Sequence, residues 1–76
     1  MQLVYKVRGQ THLTRHDFGI RRVSLAEAKR FAEAKLAEGG LNYVSVHVVD
    51  DDTGELRGYH VKYKGDPLGW DSIGTE

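Results

Sequence analysis

The side chains that could do chemistry in this 76-residue chain are four histidines, an acidic triplet and a crowd of cations near the N-terminus. His12, His16 and Asp17 have the spacing of metal ligands on a helix, but Gly9 and the extended pattern after them argue against a helix there. His47 and His60 fall in two later strands and, in the register derived below, share one sheet face one pair out of line. Two histidines with no third ligand make a weak metal site. Asp50-Asp51-Asp52 with Glu55 has the look of a calcium loop. An EF-hand, however, needs an oxygen ligand where Gly54 stands, and its bidentate glutamate would fall near Val61. A solvated hairpin tip fits better, with a protein-contact patch or a mimic of phosphate charge as the functional alternative. The stretch "RHDFGIRR", Arg15 to Arg22, contains the kinase letters Asp17-Phe18-Gly19. The glycine-rich loop, strand lysine and catalytic-loop aspartate of a kinase are missing, as is any glycine-rich phosphate loop. Ser24 is engaged as a helix cap, and Ser45 has no visible third group for a triad. No metal, cofactor or enzymatic activity is expected.

The cations are a better lead. Residues 1–35 carry eight Lys/Arg against three Asp/Glu, and residues 36–76 carry three against eight, so a net charge of zero hides a +5/−5 split. Such a split allows docking by electrostatic complementarity. Lys6, Arg8, Arg15, Arg21, Arg22 and Arg30 are the candidate partner-binding residues, with Tyr5 and Phe18 interleaved. The pI near 6.9 argues against a dedicated nucleic-acid binder, which usually carries a clear positive excess.

These residues need elements to hold them. "QLVYKVR" alternates Leu3, Tyr5 and Val7 with Val4, Lys6 and Arg8, which predicts a strand. "GQTHLTRHD" reads as a loop or long hairpin connection, and "FGIRRV" resumes an extended pattern. Ser24 and Glu27 form a capping box; Leu25, Ala28, Ala32 and Leu36 then fall on one face with Phe31 at its edge, and Gly39-Gly40 stops the run. The spacing predicts a helix over 25–38. "LNYVSVHVVD" and "ELRGYHVKYK" predict a hairpin through Asp51-Asp52-Thr53-Gly54. Pairing Asp50 with Glu55 sets Val48 opposite Arg57, Val46 opposite Tyr59 and Val44 opposite Val61. Residues 65–76, with three glycines and the only proline, read as a tail that Trp70 and Ile73 could pin to the body.

The expected fold is therefore α+β: an antiparallel sheet of about four strands, β-β-α-β-β, with one helix on one face and a single domain over residues 1–64. A domain this small hides only about 60% of its unfolded surface, so a homodimer covering the second sheet face would help. The chain has no apolar run long enough to span a membrane and no cysteine, and its first residues carry charges where a secretory signal needs an apolar core. A cytoplasmic setting is expected.

Taken together, "LVYKVRG", "RVSLAEAKRFAEAK" and "YVSVHVVDDDTGELRGYHVKY" resemble the small α+β proteins encoded by bacteriophages, among them anti-CRISPR inhibitors of type I systems. The resemblance covers residues 1–64 in size, layout and capped alanine-rich helix, and includes no motif from which site residues carry over. It implies a non-enzymatic inhibitor acting by protein–protein contact in the host cytoplasm, docked on a subunit of a Cas surveillance complex and blocking recognition of target DNA. The alternative is a small nucleic-acid-binding module using a basic strand and loop surface.

Overall fold

A computed structural model describes residues 2–21, 24–66 and 69–74. The chain forms β1 (Leu3–Gln10), β2 (Arg15–Arg21), α1 (Leu25–Ala37), β3 (Tyr43–Asp50), β4 (Leu56–Tyr63) and β5 (Asp71–Gly74). The strands make one sheet in the order β2-β1-β3-β4-β5, with every neighbouring pair antiparallel. The α+β class is as expected, as is one helix among the described residues, and the sheet they form has five strands. The fifth comes from the stretch expected to be a tail: β5 pairs with β4, Ile73 opposite Tyr59 and Ser72 opposite His60.

The helix starts where the sequence requires. Ser24 has an extended backbone and its hydroxyl accepts from the Glu27 N–H, while Gly39 and Gly40 at positive φ end the run. Its buried residues, Ala28 and Ala32, sit one turn apart and have no side chain beyond Cβ. They lie in one core with Val7, Val44, Val46 and Leu41, rimmed by Tyr5, Phe18, Leu25, Phe31, Leu36 and Trp70. Glu33 ties the far side of the helix to the sheet, accepting from Lys62 Nζ at 2.8 Å and from Trp70 Nε1 at 3.3 Å. The Lys62 hydrogen bond is the main reason its carboxyl is held below the ordinary range, against the opposing effect of burial.

Three details depart from the sequence reading. The connection after β1 is only residues 11–14, closed by the Thr11 N–H to the Thr14 carbonyl at 2.9 Å and by the Thr11 hydroxyl accepting from the Thr14 N–H at 3.0 Å. Gly9 is thus a buried strand residue and not a loop opener; a Cβ there would lie 2.9 Å from Leu41 Cδ1 and 3.0 Å from Phe18 Cε2. The letters Asp17-Phe18-Gly19 form a β-bulge against β1, with Gly19 at φ +93° and its N–H donating to Asp17 Oδ1 at 2.9 Å.

The third departure is the register of β3 against β4. The Asp50 N–H does donate to the Glu55 carbonyl at 2.9 Å. Beyond it Arg57 is inserted without a partner, so Val49 pairs with Leu56 but Val48 pairs with Gly58. A one-residue shift moves every later side chain to the other face. His60 and Lys62 therefore join the helix side, opposite Val46 and Val44, and Tyr59, Val61 and Tyr63 lie opposite His47, Ser45 and Tyr43 on the face without a helix.

Two substitutions test this packing. Ser24→Ala should lower stability by about 1 kcal/mol through loss of the cap. Gly9→Val should cost about 1–3 kcal/mol by overpacking against Leu41 and Phe18. Denaturant titration measures both, and a Gly9→Val midpoint equal to the parent's would refute the close approach.

Candidate binding face of the sheet

Because α1 covers one side of the sheet, cross-strand pairing defines what the other side carries. Lys6 pairs with His47 and Arg8 with Ser45 between β1 and β3; Arg8 also pairs with Asp17, and Gln10 with Arg15, between β1 and β2. Paired residues share a face, so Lys6, Arg8 and Arg15 stand together beside His47. The β3–β4 register then adds Tyr43, Tyr59 and Tyr63. The acidic hairpin tip, Asp50 to Glu55, is at the opposite end of β3 from Tyr43.

Tyr43 and Tyr63 have ring centroids 5.4 Å apart, and Tyr59 meets the His47 ring edge to face at 4.7 Å. Tyr43 donates its hydroxyl hydrogen to Gln10 Oε1 at 2.5 Å. Arg8, Gln10, Arg15, Tyr43, His47 and Tyr59 surround a pocket of about 170 Å³, with Ser45 at its floor, 3% exposed.

The electrostatics follow from this crowding. Burial pushes the His47 imidazole below its ordinary value, and Arg8, Lys6 and Arg15 push it further, since each disfavours another positive charge nearby. Burial raises the Tyr59 phenol, with Tyr43 and Tyr63 adding to it and a hydrogen bond from Ser45 opposing it. At neutral pH the face therefore presents the cations Lys6, Arg8 and Arg15, the Asp17 carboxylate beside Arg8, and a neutral His47 imidazole.

Of the six residues singled out from sequence, the structure brings Lys6, Arg8 and Arg15 together. Arg30 stands elsewhere, on the exposed side of α1, where Nη1 contacts Glu27 Oε1 at 3.1 Å. Arg21 pairs in backbone register with Tyr5; its side chain, and Arg22 altogether, lie outside the described residues. The two later histidines do not share a face: His47 is on the open side, and His60 is buried on the helix side with Nδ1 2.7 Å from Ser72 Oγ. The Arg57 insertion separates them. Among the described residues no three His, Asp or Glu side chains gather as a metal-ligand set. The acidic run has a local role, Asp50 Oδ1 accepting from the Asp52 N–H at 2.9 Å inside the turn. Among the described residues no helix is long and apolar enough to cross a membrane.

Sequence reasoning missed the tyrosines and His47 as members of the site. Their signal was the alternation of "YVSVHVV" and "GYHVKY", which becomes readable only in the correct register. Comparison with protein-family models, with curated proteins and with solved structures finds no match to this chain.

The pH dependence of stability reports the His47 environment. The unfolded chain takes up this proton near the ordinary value of about 6.5, and the folded chain only at lower pH. Acidification through that window therefore favours the unfolded state. His47→Gln should lose less melting temperature than the parent between pH 8 and pH 5. Parallel curves for the two proteins would show that His47 titrates as an unperturbed imidazole.

Proposed function

We propose that the protein is a non-enzymatic binding module that takes a single strand of nucleic acid on its open sheet face. The observation that carries this reading is the gathering of Lys6, Arg8 and Arg15 beside Tyr43, Tyr59 and Tyr63 on one uncovered face. Cations along a groove track the phosphate backbone, and aromatic rings on rigid strands offer stacking surfaces to unpaired bases. A strand is favoured over a duplex because a sheet of this width presents stacking faces rather than an element shaped for a major groove. The neutral total charge is compatible with it, since the acidic residues Asp50 to Glu55 sit in a turn at the other end of β3, and the carboxylate that stands among the cations is that of Asp17, paired with Arg8.

A second reading is favoured by that same charge separation together with the layout resemblance to phage inhibitors. In it the protein is an anti-CRISPR that docks on a Cas complex subunit. Tyr and Arg are the residue types that dominate protein hot spots, and the acidic turn would stand in for DNA phosphates.

Fluorescence anisotropy with a labelled single-stranded oligonucleotide separates the two. Three phosphate contacts give a log–log salt slope of about −2 for a single strand. Arg8→Ala or Arg15→Ala should flatten that slope, and Tyr59→Ala should weaken binding by about 1–3 kcal/mol. Absence of binding at low salt, together with retention on an immobilised Cas complex, would replace the first reading with the second.

A further inference from the structure

The pocket on the open face is more specific than the flat surface around it. Arg15 reaches it from β2, Arg8 and Gln10 from β1, Tyr43, Ser45 and His47 from β3, and Tyr59 from β4. Four strands thus converge polar groups on a space of about 170 Å³. Two guanidinium groups can each present paired N–H donors to an oxyanion, and the Tyr59 hydroxyl supplies a further donor, those of Tyr43 and Ser45 being engaged with Gln10 and Tyr59. We propose that this pocket is a seat for one phosphate group, held between Arg8 and Arg15 over the His47 ring. The proposal rests on the reading of the open face as a nucleic-acid surface, and deepens it by placing there the terminal phosphate of a strand, whose three free oxygens suit convergent donors better than the two of an internal diester.

His47 gives the seat a second property. Facing it are Lys6 and Arg8 from β1, Arg15 and Asp17 from β2, Tyr59 from β4 and, along its own strand, Tyr43 and Ser45. The helix is on the other side of the sheet. With the seat empty, burial keeps the imidazole neutral and the repulsion of Arg8, Lys6 and Arg15 adds to it. A bound dianion cancels that repulsion and supplies an acceptor, so the ring takes up a proton and becomes a further donor. Binding of an anion whose own charge is fixed, such as sulfate, is therefore tighter at lower pH, by the proton that His47 gains.

The test uses the intact chain with two inorganic probes and two oligonucleotides. Sulfate keeps its charge across pH 5–8, so a sulfate titration followed by NMR of the His47 ring isolates the histidine proton; inorganic phosphate is the second probe. Both anions should raise the pH at which the ring titrates. A single strand with a terminal phosphate should bind about tenfold tighter than its hydroxyl twin, one charge-assisted hydrogen bond's worth. Arg15→Ala should abolish that preference, and His47→Gln should keep it at pH 8 but lose the tighter sulfate binding that the parent shows on moving to pH 6. An unmoved His47 ring with equal affinities for the twins overturns the seat while leaving the strand-binding face in place. If neither oligonucleotide binds and the anions still move His47, the seat stands and the nucleic-acid reading falls.

Discussion

Ala28 and Ala32 allow α1 to settle directly on Val7, Val44 and Val46, and the remainder of the molecule is arranged around that contact. A helix of 13 residues is about 20 Å long and lies chiefly on the two strands β1 and β3. It can close one side of the sheet and no more. Gly9 belongs to the same constraint, because the space its missing Cβ leaves is filled by Leu41 and Phe18 at the helix end of the core. The second face is left to be stabilised within itself, and Val4, Val49 and Val61 are accordingly buried among their neighbours there.

That uncovered face is divided along the strand direction. Arg8, Arg15 and Tyr43 occupy one end, and the Asp50–Glu55 turn occupies the other. The net charge of zero therefore describes a molecule with a lengthwise polarity, and overall composition is a poor guide to what such a surface attracts. Total charge weighs against nucleic acid; local arrangement weighs for it.

The helix was the most legible element, because capping chemistry, a 3.6-residue period and paired glycines all agreed on its ends. The strands were legible as segments, and Lys6, Arg8 and Arg15 were legible as candidates because β1 alternates cleanly. What could not be read was register. Gly19 and Arg57 each add one residue to a strand pairing, and neither leaves a mark on local hydrophobicity. The Arg57 insertion alone moved Tyr59 from the expected core to the open face and His60 in the reverse direction. Gly9 misled for a related reason: a glycine required by tertiary packing has the same letter as one required by a turn. β5 was hidden by its length, since four residues beside glycines carry too little pattern to outweigh turn chemistry, and only Trp70 and Ile73 hinted that the segment was held.

The two edges of the sheet are unlike each other, and the difference bears on how the protein behaves at high concentration. An open antiparallel sheet offers its outermost backbone groups to any other strand that arrives. On one side, the Gly19 bulge kinks β2 and the charged Arg15 and Asp17 accompany it, so a second copy meets an irregular template. On the other, β5 offers only Asp71 to Gly74, too short to seed a stable ladder. Features that look like local imperfections, a bulged strand and a stub, work against sideways growth of a sheet with an uncovered face.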